Sequence, residues 1–233
     1  MKIEIWSDVA CPWCYIGKKR FEKALSQFPH ADKIEVEWKS FLLNPSQTTE
    51  PETSLATYLA NHKGMPEEQV QQMMQTTANT GKREDIDFNF DGVIPANTVR
   101  AHALLQLAKD RGLGAQLKQH LFHAYFTDNK NLDDPKELFR LGGMVGLSEE
   151  EIREALTSDA PFRKVERDLK EANALGIQGV PFFVIDRKYG ISGAQEAPAL
   201  LQALEKAYGE FKNKQGQDLE ISEGDSCDTE GNC

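Results

Sequence analysis

The alternation of apolar and polar positions predicts a βαβ unit at the start of the chain. Residues 2–6 form a short, mostly apolar run, and residues 34–38 alternate between apolar and polar side chains, so both segments are predicted to be strands. Apolar residues recur with helical spacing over residues 11–28, between the two strands. A strand, a helix and a second strand in this order make the first unit of the fold.

The middle of the chain, from about residue 45 to residue 176, is predicted to be helical throughout. No segment there keeps a period of two for long, whereas apolar residues recur with helical spacing. The predicted helices span residues 55–62, 66–80, 98–111, 114–126, 135–145, 149–157 and 161–175. Residue types that favour helix starts mark three of them, at Asn97 or Thr98, at Asp134 and at Ser148.

The end of the chain returns to strand patterns. Residues 182–185 are apolar, residues 189–192 follow after a turn, and helical spacing resumes over about 196–208, which together predict a ββα unit. We therefore predict an α/β fold in which a large all-helical domain separates a βαβ half from a ββα half. The predicted divisions are residues 1–44 with 177–208 for the α/β domain, 45–176 for the insertion, and 209–233 for a tail.

Charge and composition narrow the classes of partner. The 233 residues include 27 Lys and Arg against 37 Asp and Glu, a formal net charge of −10. This balance argues against nucleic acid or an anionic membrane surface as the main partner. No stretch approaches the roughly 18 apolar residues that span a bilayer, and the first residues lack the pattern of a secretion signal. We therefore expect a cytoplasmic protein, where cysteines serve redox chemistry rather than structural disulfides.

The motif Cys11-Pro12-Trp13-Cys14 carries the candidate chemistry. Proline suits the first turn of a helix, so Pro12 predicts a helix that begins beside Cys11. The helix dipole and the free amide groups there stabilise a thiolate, and thiols so placed have pKa values of roughly 3.5 to 7.5 instead of about 8.5. We therefore expect Cys11 to be the nucleophile and the more shielded Cys14 to be the resolving thiol.

Two further cysteines, Cys227 and Cys233, close the chain. A pair at the spacing of Cys11 and Cys14 is also half of a four-cysteine zinc site, but the other two cysteines are far away in sequence, so we expect no bound metal. From residue 215 onward there are six acidic residues and no Lys or Arg, which predicts a mobile acidic tail. Its thiols either exchange with the first pair as a secondary redox pair, form a tethering disulfide, or remain idle.

Several segments together resemble one known family. They are Ser7 to Gly17 around the cysteine motif, Phe41 to Pro45, Pro95 to Thr98 with His102, Gly176 to Phe182, and Ile191 to Gln195. Over residues 2–208 the chain is similar to the FrnE-like branch of the DsbA-family thiol:disulfide oxidoreductases. The resemblance implies a thioredoxin-like fold with a helical insertion.

The resemblance also implies a cis bond between Val180 and Pro181, although most X-Pro bonds are trans. In the thioredoxin-like fold, such a proline faces the redox pair, and the preceding residue offers its backbone to an extended substrate. Pro181 is therefore expected to shape the substrate site and Val180 to contact the substrate. Trp13, beside Pro12 in the motif, either binds apolar substrate or packs against the insertion.

Three residues of the insertion are further candidates for substrate binding. Asn97 and Thr98 are expected to line the cleft, although helix capping alone would explain Asn97. His102 follows Thr98 by one helical turn, and it either tunes the cleft or is a buried structural histidine. The sequence does not decide between these roles.

The leading prediction is a thiol:disulfide oxidoreductase that acts on protein or small-molecule thiols and disulfides, with activity possible in oxidative stress. It needs no tightly bound cofactor, and glutathione is a candidate redox partner. One alternative is a glutathione-dependent enzyme, similar to 2-hydroxychromene-2-carboxylate isomerases and kappa-class glutathione transferases, which generally have serine in place of the first cysteine. Another is a holdase chaperone that does not need its thiols. The sequence predicts neither the direction of electron flow nor the oligomeric state.

Overall fold

A computed structural model describes residues 1–215, in which four strands and nine α-helices form a mixed α/β fold. The elements are β1 (Lys2–Ser7), α1 (Pro12–Gln27), β2 (Glu35–Ser40), α2 (Leu55–Lys63), α3 (Glu67–Lys82), α4 (Val99–Asp110), α5 (Gly114–Phe126), α6 (Pro135–Met144), α7 (Glu149–Thr157), α8 (Asp159–Ala174), β3 (Phe182–Ile185), β4 (Tyr189–Ser192) and α9 (Ala197–Gln215). The order confirms a helical insertion between two α/β halves.

The four strands form one sheet in the order β2-β1-β3-β4. β1 is parallel to β2 and antiparallel to β3, and β4 is antiparallel to β3. Ile5 of β1 lies opposite Trp38 of β2 on one side and Phe183 of β3 on the other. Because β1 is paired on both edges and covered on both faces, its apolar run is buried from Ile3 to Ser7.

Two of the three predicted helix starts are confirmed by side-chain caps. The side chain of Ser148 accepts a hydrogen bond from the Glu151 N–H in a capping box, and Asp134 caps α6 at Lys136. The N-cap residue of α4 is Thr98, whose side chain makes no capping bond, whereas Oδ1 of Asn97 accepts a hydrogen bond from the N–H of Val99, the first residue of α4, at 2.9 Å.

Two helices are longer than the pattern predicts. α8 begins at Asp159 rather than at residue 161, because a proline in the first turn needs no hydrogen-bonded N–H. α9 continues to Gln215, so that residues 209–215, assigned above to the tail, are helical. Tyr208 extends the apolar stripe of α9 and packs edge to face on Phe28, with ring centroids 5.5 Å apart.

The helix α1 lies between two hydrophobic cores. Phe21 and Ala24 face the core of the sheet, which also contains Ile5 and Phe183. The first turn of α1 belongs instead to the core of the insertion, which includes Cys11, Cys14, Tyr15 and Ile16. The fold therefore places the cysteine motif where the insertion meets the sheet. Within residues 1–215, none of the helices is long and apolar enough to cross a membrane.

Buried charges fasten the insertion to the sheet. Lys39 of β2 lies 3.6 Å from a carboxylate oxygen of Glu4 in β1 and 3.6 Å from one of Asp168 in α8. Asp168, which is fully buried, also accepts hydrogen bonds from the N–H of Ser40 at 2.9 Å and from Nε2 of Gln106 at 2.7 Å. These contacts fix α4 and α8 against β2, the neighbour of the strand that leads to the cysteine motif.

Candidate active site

The cysteine motif opens α1 as the sequence predicts. Cys11 is the N-cap residue with extended backbone angles, and Pro12 occupies the first turn. Both cysteines are free thiols, and Cys11 is 5% exposed whereas Cys14 is completely buried. The expected order of shielding is therefore confirmed. Cys11 is therefore the more accessible of the two sulfurs.

The loop before β3 meets this motif through its backbone. The bond between Val180 and Pro181 is cis, as predicted. The Sγ of Cys11 lies 3.5 Å from the carbonyl oxygen of Val180, to which the thiol donates a hydrogen bond. Gly17 of α1 permits this approach, because a Cβ at that position would lie 2.8 Å from the Cγ of Pro181. The cis proline therefore packs directly on the helix that carries both cysteines.

The expectation of an acidic Cys11 is wrong for the reduced pair. The hydrogen bond with Cys14 and burial raise the pKa of the Cys11 thiol well above its usual value, and the nearby charges of Cys14 and Asp8 act in the same direction. Only the backbone N–H of Cys14 lowers this pKa, which is the helix-terminus effect that the sequence indicated. Two sulfurs in contact ionise as a pair, so a charge on one holds the proton on the other.

Asp8 is the most important residue of the site that the sequence analysis missed. It is buried three positions before Cys11, where its Oδ2 accepts a hydrogen bond from the N–H of Leu43 at 2.8 Å. Its Oδ1 is 3.2 Å from Nε2 of His102 and accepts a hydrogen bond from Oγ1 of Thr98 at 3.1 Å. Burial raises the pKa of Asp8, but these partners outweigh it and lower the pKa, which keeps the carboxylate charged.

Two of the three candidates from the insertion lie around this carboxylate. Thr98 and His102 contact Asp8 directly, and His102 is fully buried, so burial lowers its pKa and favours the neutral ring. Asn97 instead holds the loop before α4, since its Nδ2 donates a hydrogen bond to the Gln47 carbonyl oxygen at 2.7 Å. Substrate contact by these three residues stays a prediction, as do the roles of Pro12, Trp13 and Val180 in substrate binding.

An apolar cavity of about 290 Å³ adjoins Cys11. It lies between the first turn of α1 and helices α2 and α3, and its lining includes Trp13, Leu59, Met74 and Val180. The Trp13 side chain at the edge of this cavity is 39% exposed. Lys63 is the one charged residue in this lining. The cavity can therefore receive an apolar side chain next to the Cys11 sulfur.

A smaller cavity of about 180 Å³ shares its wall with the first one. Leu43, Leu55, Leu59 and Lys63 line both cavities, and the smaller one reaches Asp8 and Thr98. Leu43 is 49% exposed and forms the edge between them. The two cavities extend the site from Cys11 along the insertion.

A second residue that the sequence analysis missed is Lys118 of α5, which is 1% exposed. The sequence could have indicated this residue, because Lys118 shares a helix face with Leu121, Phe122 and Tyr125, where the other side chains are apolar.

Cys227 and Cys233 lie outside the described residues, so their pairing and their redox role stay predictions. Within residues 1–215, no group of three or more His, Cys, Asp or Glu side chains is arranged to hold a metal ion.

Comparison with known proteins agrees with this geometry. A crystal structure of a probable DsbA oxidoreductase from Streptomyces coelicolor is 38% identical, with a TM-score of 0.85 over 99% of this chain and 97% of that one. The uncharacterized protein YwbO of Bacillus subtilis is 29% identical over 187 residues, which are 78% of this chain and 86% of that protein.

A third similar protein shares the fold at lower identity. The cytosolic disulfide reductase DsbM from Pseudomonas aeruginosa is 17% identical with a TM-score of 0.59, and the match covers 92% of this chain and 98% of that one. The model of the DSBA-like thioredoxin domain matches residues 2–205, nearly the whole described chain. The chain therefore belongs to the DSBA-like thioredoxin domain family.

Proposed function

We propose that this chain is a cytoplasmic thiol:disulfide oxidoreductase of the FrnE-like branch, in which Cys11 and Cys14 form the redox pair. The observation that carries the proposal is the position of the Cys11 sulfur. It stands at the start of α1, 3.5 Å from the Val180 carbonyl oxygen and next to an apolar cavity. A peptide disulfide in that cavity would meet both the sulfur and the backbone carbonyl group of Val180.

The reaction follows from the different burial of the two sulfurs. The Cys11 thiolate attacks one sulfur of a substrate disulfide, forms a mixed disulfide and releases the other substrate sulfur as a thiolate. Cys14 then attacks Cys11 and releases the second substrate sulfur, so the substrate gains two electrons and the pair becomes a disulfide. In reverse, the oxidised pair transfers its disulfide to a substrate dithiol. The reduction potential decides the direction.

The lining of the cavity favours peptide substrates with apolar side chains. Trp13, Leu43 and Met74 provide apolar contact, and Lys63 is the one charged group in the lining. Glutathione carries two carboxylates, so it gains less from this cavity than an apolar peptide does. Glutathione therefore fits the role of a redox partner that exchanges at Cys11 better than the role of a tightly bound cofactor.

Insulin reduction and reactivation of scrambled ribonuclease test the proposal. The background is Cys227→Ser with Cys233→Ser, so that only the first pair reacts. We expect Cys11→Ser to abolish both activities, and Cys14→Ser to accumulate a mixed disulfide between Cys11 and the substrate. Full activity in the Cys11→Ser protein would contradict the proposal.

The exposed apolar side chains at the cavity also favour a second candidate, a holdase that binds unfolded proteins. Trp13 and Leu43 are both exposed beside the cavity. Suppression of aggregation that survives Cys11→Ser with Cys14→Ser, but falls with Trp13→Ala, would support that function. If the cysteine variants lose the redox activities but still suppress aggregation, the oxidoreductase and holdase functions use the same apolar surface.

A further inference from the structure

Lys118 carries a buried positive charge for which the fold offers few partners. Its Nζ donates one hydrogen bond, at 3.4 Å, to the carbonyl oxygen of Ser7 at the end of β1. The same ammonium lies 5.1 Å from the ring centre of Trp38 and 5.6 Å from that of Phe122. An ammonium has three donor hydrogens, so this charge is held largely by aromatic rings.

The face of α5 that carries Lys118 packs against the first turn of α1. The ring of Phe122 stacks on that of Tyr15 at 4.9 Å, and Gln119 donates a hydrogen bond to the Tyr15 hydroxyl at 2.8 Å. Tyr15 follows Cys14, whose side chain is completely buried in the same core. Lys118 therefore approaches the redox pair from the side of Cys14, which faces the protein interior.

The electrostatic effects on Lys118 agree with this placement. Burial lowers the pKa of Lys118 to about 8, and the charge of Cys14 is the largest that opposes this shift, followed by Asp8. The titratable groups whose charges act on Lys118 include Cys14 and Lys18 on α1, Asp8 after β1, and His102 and Lys109 on α4. The buried ammonium and the buried Cys14 sulfur therefore lie within electrostatic reach of each other.

The surroundings of Asp8 and Lys118 contain polar atoms without partners. Among the described residues, three buried side-chain atoms lack a hydrogen-bond partner: Oδ1 of Asp168, Oγ of Ser7 and Nδ1 of His102. Buried polar atoms are normally paired, and a redox or catalytic role is one explanation for an exception. Ser7 precedes Asp8 in sequence, and His102 contacts the Asp8 carboxylate.

We propose that Lys118 is a positioning residue that stabilises the thiolate of Cys14 in the step that resolves the mixed disulfide. This role rests on the oxidoreductase function proposed above. Cys14 loses its proton, and its sulfur attacks the Cys11 sulfur while the Lys118 ammonium compensates the charge. The bond between Cys11 and the substrate breaks, and the substrate sulfur leaves with the electron pair and takes up one proton.

A structural role for Lys118, as a counter-ion of Asp8, makes a different prediction. Loss of a counter-ion would lower stability and would change the rates of attack by Cys11 and of resolution by Cys14 to the same extent. A group that acts on Cys14 would slow the second step alone and move its pH midpoint. The two steps can be separated with 5,5′-dithiobis(2-nitrobenzoic acid), which releases one coloured thiolate when Cys11 attacks and another when Cys14 resolves.

The experiment follows both releases by stopped flow across pH, in the Cys227→Ser, Cys233→Ser background. Lys118→Met should slow the second release about tenfold at neutral pH and raise its pH midpoint by about one unit. The first release should change less than about twofold, because the proposed effect acts on Cys14 and not on Cys11. Lys18→Met is the control for the loss of a buried ammonium, since Lys18 is 3% exposed but is paired with Glu22 at 2.5 Å. It should not slow the second release, because the charge of Lys18 disfavours the Lys118 ammonium.

A folded Lys118→Met protein with the second release and pH midpoint of the parent would overturn the role of Lys118. Absence of the first release in the parent itself would instead overturn the oxidoreductase function, and the Lys118 role with it. If Lys118→Met does not fold, the pKa of Lys118 is measured by NMR with Cys11 blocked by iodoacetamide. The pKa of Lys118 should be lower in the Cys14→Ser protein than in the parent, and equal pKa values in the two proteins would overturn the inference.

Discussion

The Sγ of Cys11 lies 3.5 Å from the carbonyl oxygen of Val180, although 169 positions separate the two residues in sequence. Cys11 precedes the helical insertion and Val180 follows it. The sheet makes this contact possible, because β1 and β3 are neighbours and the loops at the relevant ends lie side by side. The insertion therefore lengthens the chain without separating the two halves of the site. Its helices α2 and α3 also line the cavity beside Cys11.

The contact between Gly17 and Pro181 gives the first prediction. Gly17→Ala places a Cβ 2.8 Å from the Cγ of Pro181 and should push the Val180 carbonyl group away from Cys11. We expect the exchange rate to fall roughly ten- to a hundredfold. Stability should fall by about 1–3 kcal/mol through overpacking, measured by urea unfolding.

Gly143→Ala is the control for this change, because Gly143 is also helical and a Cβ there meets no atom within 4 Å. That substitution should raise stability by about 0.5–1 kcal/mol, as alanine does in an open helix position, and leave exchange unchanged. Identical behaviour of the two variants would show that the packing of Pro181 on α1 does not matter for the site.

The influence of Cys14 on Cys11 gives the second prediction. Cys14→Ala removes the hydrogen bond and the charge that raise the pKa of Cys11, while the backbone N–H that lowers it remains. The pKa of Cys11 should therefore decrease. The measurement is the pH dependence of alkylation by iodoacetamide with both tail cysteines changed to serine. A midpoint at or above that of the parent pair would contradict the coupling between the thiols.

The apolar cavity beside Cys11 gives the third prediction. Trp13→Ala should raise KM about fivefold or more for a peptide disulfide with phenylalanine next to its cysteine, because about 1 kcal/mol of apolar contact is lost. KM for the matching serine peptide should hardly change. Leu175→Ala is the control, since Leu175 is similarly exposed, at 44%, but lies at the end of α8. Equal effects on both peptides would argue against a side-chain site in this cavity.

The carboxylate of Asp8 gives the fourth prediction. Asp8→Asn should destabilise the protein by about 2–4 kcal/mol at neutral pH, because three hydrogen bonds and the interaction with His102 depend on the buried charge. The folded pKa of Asp8 lies below its ordinary value of 3.8, so this stabilisation is present above that pH and is lost as pH falls through the folded pKa.

Denaturant unfolding at several pH values checks the Asp8 prediction, and the gap between the parent and Asp8→Asn should narrow toward low pH. Asp32→Asn is the control, because its side chain is 68% exposed and pairs with the exposed Lys33. If the gap is independent of pH, the buried carboxylate is not the source of the stability.

Most of the fold could be predicted from the sequence because both kinds of element show their buried face locally. The run that ends in Trp6 and the capping pair of Ser148 and Glu151 needed no tertiary information. The exceptions were boundaries, such as the end of α9, where contact between Tyr208 and Phe28 supports further turns. Such contacts join distant segments and leave no periodic signal.

The features of the site also differ in whether the local sequence could predict them. The cysteines and the cis bond before Pro181 could be predicted, because the motif is local and the family resemblance covers the later loop. The pairing of Asp8 with His102, 94 positions away, could not, since it depends on how α4 packs against the end of β1. Lys118 was visible only as a charge on an apolar helix face, and packing alone shows that this face meets Tyr15, the residue after Cys14.

The most direct test of the account is the equilibrium of the Cys11 and Cys14 thiols with glutathione redox buffers, in protein whose tail cysteines are serine. Trapped thiols and mass spectrometry measure the fraction oxidised. We predict one transition with the loss of two hydrogens per molecule, from the free pair to the disulfide between Cys11 and Cys14. Thiols that stay free, or that form only glutathione adducts, across the whole range of buffers would contradict the account.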